Sequence, residues 1–420
     1  MTGFIGLATI FFGLSWLRQP LPLVLICCSI FALMVWGDGQ PVYLFEDMWA
    51  AIDSPFLLSI PMFLVAGALM SRGSIAERLI EIIRALTEWM PGGLAVATIL
   101  SCALFAAISG SSTVTMLAIG AILYPTLLKA GYQKSFALGA LTSSGTLGII
   151  IPPSIPLIIY GIVNEISIAD LFLAALIPGL VLTLFLSTYA FAANRHSPSA
   201  PLDLGRVVRA FRRGIWAMML PVVLLGGIYS GYFSPTESAA VAVGYAAIIE
   251  VFVHRELTLK DFWQVGVETS RLLGTLVVIL AVIMAMQNLL TILGVQESLA
   301  DWVVENFDSK IAFLLAINVL LLIVGCFIDV ISAILILSPL LLGPAMRLGI
   351  DPLHFAVIMV VNLEIGLLTP PVGLNLFVAM SAFREKFSLI VKGTLPFVAL
   401  MVAALLLLTF VPWFSLFLVR

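Results

Sequence analysis

Charge is what this chain has least of: 10% of its 420 residues are Asp, Glu, Lys or Arg, against roughly 25% in a soluble domain. So few polar groups cannot cover a water-facing surface, which excludes a soluble enzyme. Histidine is equally scarce. The three present, His196, His254 and His354, are scattered, which excludes a His-based metal centre. An intramembrane enzyme needs an acid pair or a His dyad at one depth, and His254 and His354 both fall near span ends. The four cysteines, Cys27, Cys28, Cys102 and Cys326, all lie in apolar segments and read as small buried residues, not as a disulfide or metal framework. No basic block accompanies the net charge of −3, so nucleic acid is not expected as a partner.

What the chain has is apolar length. Hydrophobic residues make up 62% and the mean hydropathy is +1.17. At roughly 20 apolar residues per membrane helix, about ten crossings fill it. The first run, Met1 to Leu17, has no cation ahead of it, and Arg18 follows it; it reads as a retained span with its N-terminus outside. Further runs cover 21–36, 54–71, 94–108, 114–128, 135–163, 168–192, 215–232, 237–253, 274–293, 311–324, 331–346, 353–383 and 394–418. Arms of about 15 residues reach only ~22 Å, short of a ~30 Å hydrocarbon core. The pairs 94–108/114–128 and 311–324/331–346, joined through Ser109–Thr113 and Gly325–Asp329, therefore read as re-entrant hairpins; two tilted full spans are the alternative. With the N-terminus outside, all but three of the 20 Lys and Arg residues fall inside, the exceptions being Lys310, Arg347 and Arg420, as the positive-inside rule requires. The outer loops are acidic: Asp38, Glu46, Asp47 and Asp53, then Glu297, Asp301, Glu305 and Asp308.

The chain repeats itself. Lys129 and Gly131 meet Arg347 and Gly349 at an offset of 218, as do Gly148 and Gly366, and Pro152-Pro153 and Pro370-Pro371. Five crossings plus one hairpin per half put the second half upside down, the plan of many secondary transporters. The expected fold is an all-α polytopic membrane protein of inverted repeats with two re-entrant hairpins and two broken helices. The first repeat is 1–200, with scaffold helices in 1–53, an arm helix at 74–90, an inner hairpin at 94–128 and a broken helix at 133–163. A cytoplasmic linker covers 201–214. The second repeat is 215–420, with scaffold helices in 215–253, an outer hairpin at 310–346 and a broken helix at 352–384. Two amphipathic stretches, Ser74 to Trp89 and Leu257 to Leu272, read as helices at the membrane face or as solvated connections.

Polar residues concentrate at the breaks. Ser109-Gly110-Ser111-Ser112-Thr113 faces Thr142 to Gly148 and Pro152-Pro153-Ser154; Gly325 to Asp329, with Ser332, faces Glu364 to Pro371, Gly373 and Asn375. Adjacent prolines free carbonyls from the helix ladder, and in hydrocarbon those must be satisfied by protein, water or an ion. Hydroxyls and unwound carbonyls suit a Na⁺ site in each half, and helix N-termini at the tips suit a carboxylate. Back-bonded hydroxyls and plain kinks are the alternative. Asp329, a carboxylate at mid-membrane, marks function or caps a helix. Glu364 poses the same question, and Glu237 in Ser234-Pro235-Thr236-Glu237 fits an outer helix cap.

At these residues the chain resembles the large membrane subunit of tripartite ATP-independent periplasmic (TRAP) transporters, the DctM-like family. The matching stretches are Gly110 to Thr115, Gly145 to Ser154, Phe233 to Ala240 and Gly366 to Gly373, and the similarity runs over essentially the whole chain. The resemblance implies a Na⁺-coupled, elevator-type importer in the bacterial inner membrane, where the charge count above puts both termini on the periplasmic side. It implies an organic-acid substrate (a C4-dicarboxylate, sialic acid or sugar acid), a separate four-helix membrane subunit and a periplasmic substrate-binding protein. One Na⁺ site would use Ser109, Gly110, Ser112 and Thr113 with Ser143, Ser144 and Gly148. The other would use Gly325, Cys326, Gly366, Thr369 and the carbonyl of Val372. Ser109, Ser111, Ser154, Asp329 and Asn375 stand on the substrate side. No cofactor beyond the coupling ion is implied. A stand-alone Na⁺- or H⁺-coupled dicarboxylate carrier is the alternative.

Overall fold

A computed structural model of the chain describes every residue except Met1, Arg18, Asp38, Gly39, Ser54, Pro198, Ala200 and Asp308. Met1, Arg18, Asp38 and Asp308, used in the span and charge readings above, thus lie outside the described residues. The first half opens with α1 (Thr2–Trp16), α2 (Leu21–Trp36) and α3 (Val42–Ile52). A tight turn, Pro55–Leu58, leads into α4 (Ser59–Arg72), which bends by 68° into α5 (Ile75–Thr87). The first hairpin is α6 (Gly93–Ser109) and α7 (Ser112–Lys129); the first broken helix is α8 (Lys134–Gly145), α9 (Leu147–Ile150) and α10 (Ile155–Val163). Helix α11 (Ile168–Ala193) closes the half. The second half follows with α12 (Leu204–Tyr229), α13 (Pro235–Ile248, with a π turn to Val253), α14 (Leu259–Ile292) and α15 (Val295–Asn306). The second hairpin is α16 (Lys310–Phe327) and α17 (Val330–Arg347), and the second broken helix α18 (Pro352–Gly366) and α19 (Leu374–Phe383). Helices α20 (Phe387–Phe410) and α21 (Trp413–Leu416) end the chain. Among the described residues there is no strand, and nine helices are long and apolar enough to cross a membrane, or ten if the bent pair α4–α5 is one span.

The repeat is kept to the residue where the backbone breaks. Helices α7 and α17 each hold 18 residues, starting at Ser112 and Val330, 218 positions apart. Their N-caps, Ser111 and Asp329, keep the same offset, as do the starts of α8 and α18 at Lys134 and Pro352. Both proline pairs are cis. The broken helices form the centre: every residue of α18 from His354 to Gly366 is buried, as expected of a helix apolar on all sides. Small residues set the closest packing. A Cβ on Gly139 or Gly393 would collide with backbone of the facing helix, the Gly393 and Ser135 carbonyls respectively, so α8 and α20 touch main chain to main chain.

Three expectations change in detail. The hairpin arms are 17 to 18 residues long, about 26 Å at 1.5 Å per residue, because the polar tips are mostly helical and only Gly110-Ser111 and Ile328-Asp329 break. Length therefore argues less strongly for re-entry than the shorter apolar runs did. Leu257 to Leu272 is no separate surface helix: α14 runs through it for 34 residues, because Gly266 and Gly274 alone do not stop a helix that has open space around them. The counterpart of α5 at about the repeat offset is α15 instead. The expected linker is largely the start of α12, capped by Asp203, whose Oδ1 accepts the Arg206 N–H at 3.0 Å. Glu237 does close a capping box: its Oε2 accepts the Ser234 N–H at 2.8 Å while Ser234 Oγ accepts the Glu237 N–H at 3.2 Å.

Candidate functional site

The first tip turns at Gly110, whose φ of 61° is a left-handed conformation that glycine adopts freely. Its carbonyl accepts the Ile155 N–H at 3.5 Å, tying the tip to the residue after Pro152-Pro153-Ser154. Buried Ser109 shares a 2.6 Å hydrogen bond with Thr115 across the turn. Gly148 lies so close that a Cβ there would strike the Ser111 carbonyl and stand 2.6 Å from Thr115 Oγ1. Of the hydroxyls behind the tip, Ser144 donates back to the Ala140 carbonyl at 2.5 Å and Thr146 to the Ser143 carbonyl at 2.5 Å. Ser143 Oγ and Thr142 Oγ1 are buried without a partner, an uncommon condition for buried polar atoms. Ser154 caps α10, donating to Ile149 O at 2.5 Å and accepting Leu157 N–H at 3.3 Å.

The second tip repeats the clip with different chemistry. The Cys326 carbonyl accepts the Gly373 N–H at 3.0 Å, and Gly373 is Ile155 plus 218. Gly325 and Gly366 pass backbone to backbone: a Cβ on Gly366 would sit 2.5 Å from Gly325 Cα. The Cys326 thiol and the Thr369 hydroxyl bond back to Leu322 O and Ile365 O. Where the first tip is capped by the Ser111 hydroxyl, the second is capped by a carboxylate, Asp329 Oδ2, which accepts the Ser332 N–H at 3.0 Å. Val372, Pro370 and Pro371 are exposed.

The two tips meet. A cavity of about 160 Å³ is lined by Gly110 to Thr113 and by Asp329 to Ile331, together with Asn375, Leu367, Leu64 of α4 and Leu276 of α14. The N-termini of α7 and α17 thus open on one space. Of the expected site residues, Gly110, Ser111, Ser112, Thr113, Asp329 and Asn375 line it. Ser109, Ser143, Ser144, Gly148 and Ser154 stand behind its first-half wall. Gly325, Cys326, Gly366, Thr369 and Val372 form the neighbouring second-half break. Asn375 joins the halves: its Nδ2 donates to Ser112 Oγ at 3.3 Å and to Glu364 Oε1 at 3.2 Å. Sequence reasoning gave Thr115 no place in the site, and Thr146 only one within the run Thr142 to Gly148. Their signal was only that of one more hydroxyl in a hydroxyl-rich run. Leu64 and Leu276 gave no signal, being leucines in apolar helices. Two further polar contacts in the core are structural: Asn362 donates to Asn318 Oδ1 at 2.8 Å, and His354 lies 3.2 Å from both Ser415 Oγ and Thr409 O.

Paired inverted hairpins whose tips share a cavity, in a polytopic all-α chain, define the permease of a secondary transporter. The profile of the family described as tripartite ATP-independent periplasmic transporter, DctM component, matches residues 8–414, and the chain belongs to that family. It is 42% identical to the C4-dicarboxylate TRAP transporter large permease protein DctM of Pseudomonas aeruginosa, over 86% of this chain and 85% of that one. It is 39% identical to the isethionate TRAP transporter permease protein DctMQ of Oleidesulfovibrio alaskensis, over 92% of this chain and 62% of that longer one. Among solved structures, the YdaH transporter of Alcanivorax borkumensis shares the fold with a TM-score of 0.69 at 14% identity, covering 90% of each chain. The relatives are named as transport proteins and not as enzymes.

Proposed function

We propose that this chain is the large transmembrane subunit of a Na⁺-coupled importer of an organic acid in the bacterial inner membrane. Its substrate, of the C4-dicarboxylate or sugar-acid kind, is delivered by a periplasmic binding protein, and a separate four-helix membrane subunit completes the complex. Both termini face the periplasm. The hairpins and broken helices move together past the scaffold of α1–α5 and α12–α15, carrying the substrate in the manner of an elevator.

The observation that carries this reading is the shared cavity at the N-termini of α7 and α17. A helix N-terminus favours an anion. At α7 the cap is a neutral serine bonded loosely, at 3.5 Å, so its N–H groups remain available to a carboxylate. At α17 the cap is already anionic, so that end does not repel a cation. Buried, unpartnered Ser143 Oγ and Thr142 Oγ1 offer neutral oxygens to Na⁺ on the first-half side, and on the second the main chain around the close crossing of Gly325 and Gly366 would supply the carbonyls. The two relatives cited above are named for a C4-dicarboxylate and for isethionate, both small organic anions.

The test is uptake of labelled succinate and a panel of sugar acids into vesicles holding both membrane subunits. Accumulation is expected only with an inward Na⁺ gradient and the cognate binding protein. Uptake indifferent to both overturns the reading, and uptake that needs Na⁺ or H⁺ but no binding protein supports a stand-alone carrier instead.

A further inference from the structure

Glu364 is the one carboxyl among the described residues that is fully buried in the central broken helix. It takes part in none of the ion pairs of the described residues. Its Oε1 accepts from the neutral amide of Asn375, at 3.2 Å, its Oε2 has no hydrogen-bond partner, and Ser112 is the other polar side chain beside it. A buried carboxylate with no compensating cation is strongly disfavoured, so this carboxyl either holds a proton or awaits a cation. The position has no equivalent in the other half. At the repeat offset Glu364 corresponds to Thr146, Asn375 to Leu157 and Ser112 to Val330. The chain Glu364–Asn375–Ser112 therefore exists once, and it runs across the two halves immediately behind the cavity wall that Asn375 and Ser112 form.

The geometry points to a monovalent-cation position at Glu364, Asn375 and Ser112, in which Glu364 supplies the negative charge. This rests on the cation-coupled reading above and adds to its two neutral pockets a third, charged position. Asn375 now turns its Nδ2 toward Glu364 and Ser112, while its Oδ1 accepts from Ser112 Oγ at 3.5 Å. Rotating that amide by 180° presents Oδ1 instead, and with Glu364 Oε2 and Ser112 Oγ it makes a set of carboxylate, carbonyl and hydroxyl oxygens suited to a hard cation. The amide oxygen faces the cation when it is bound, and the amide nitrogen holds the two sides together when it is absent. The position also ties cation binding to the contact between hairpin α6–α7 and helices α18–α19.

The measurement is thermal unfolding of the purified permease complex, without substrate, titrated with NaCl against choline chloride at constant ionic strength. In the wild type Na⁺ raises the melting temperature, with a half-saturating concentration. In Glu364→Gln, which keeps the shape and removes the charge, that concentration rises by about tenfold, as for the loss of one charge-assisted ligand, while Glu364→Asp shifts it less. Asn375→Leu, which installs the residue of the other half, moves it in the same direction and serves if Glu364→Gln does not fold. A Na⁺ titration unchanged in Glu364→Gln, or in Asn375→Leu where only that variant folds, overturns the cation position alone. A wild type that does not respond to Na⁺ overturns both this position and the Na⁺ coupling on which it rests.

Discussion

The two breaks of this protein share a backbone and differ in almost everything attached to it. Pro152 and Pro153 are buried, as are Gly148 to Ile159 around them; Pro370 and Pro371 are exposed, together with Phe327, Ile328, Asp329, Val372 and Leu374. The first tip ends in a serine cap, the second in an aspartate. A repeat that preserves caps and breaks to the residue while covering one half-site and uncovering the other has placed its symmetry in the main chain and its function in the difference. Under the proposed transport reading, one covered and one uncovered half-site is the asymmetry that alternating access needs, with the roles exchanged in the opposite state.

The strongest way to break the comparison is at the glycines that both halves require. Gly148→Ala drives a Cβ into the Ser111 carbonyl, and Gly366→Ala puts one 2.5 Å from Gly325 Cα. In each case the neighbour is backbone and cannot rotate away, so a loss of ~1–3 kcal/mol or more is expected, with loss of transport. Gly226→Ala, a helical position with nothing within 4 Å, is the control and should leave both intact. Thermal unfolding beside uptake would decide; normal stability of both buried variants would mean that the backbones at both crossings separate without cost.

Exchanging the caps is the next test. Ser111→Asp gives the first tip the carboxylate of the second and places two anions on one cavity. Like charges brought together cost several kcal/mol, so uptake of an organic anion should fall by about 100-fold or more. Asp329→Ser keeps a good N-cap, and its effect on stability should stay below ~1 kcal/mol. If Ser111→Asp transports its anion normally, the α7 end is not where the anion binds.

A gentler contrast lies within two adjacent serines. Ser143 Oγ is buried and unpartnered, whereas Ser144 Oγ is spent on the Ala140 carbonyl. Ser143→Ala should raise the Na⁺ concentration for half-maximal uptake by about tenfold, the effect of roughly one ligand oxygen. Ser144→Ala removes only a back-bond of the kind that is near neutral in helices, and its Na⁺ dependence should stay within about twofold. Equal effects would remove the distinction between ligand and back-bond.

The breaks were legible because they are written in residues whose backbone chemistry is restrictive. Two Pro-Pro pairs, Gly148 and Gly366, and the hydroxyl run 109–113 fixed both broken helices and the first hairpin nearly to the residue. What could not be read was whatever depends on side-chain packing between distant segments. Nothing in the sequence says that Asn375 bridges Ser112 and Glu364, since those residues are 263 and 11 positions away. Nor could local composition say that Leu64 and Leu276 close the cavity. The amphipathic pattern of 257–272 promised a surface helix, but amphipathicity reports which face meets the polar side and not where the helix stops. The repeat itself held the better clue, since the offset of 218 carries α5 to α15 and not to 257–272.

The smallest effect is expected in the scaffold, where α14 gives way to α15 at the left-handed Gly294 and the equivalent step of the first half is the 68° bend from α4 into α5. The bend is held from outside the helix. Glu250 Oε1 accepts the Ile75 N–H at 2.8 Å, capping α5 from the π turn after α13, and Gly73 leaves room for that carboxylate. His254, whose side chain is 4% exposed, packs against the same group, with Nδ1 3.1 Å from Ser74 Oγ and 3.6 Å from Glu250 Oε2. Burial, then the Arg78 guanidinium, hold its pKa below the ordinary histidine value, against the upward pull of Glu250 and Glu256. The folded state therefore binds fewer protons than the unfolded chain as pH falls through about 6.5, so stability declines on acidification and is fully present above that range. A melting temperature flat above about pH 7 and falling below it is the expected profile, and His254→Gln should flatten part of the fall. An unchanged slope in His254→Gln would assign the pH dependence to other groups and leave the bend held by Glu250 alone.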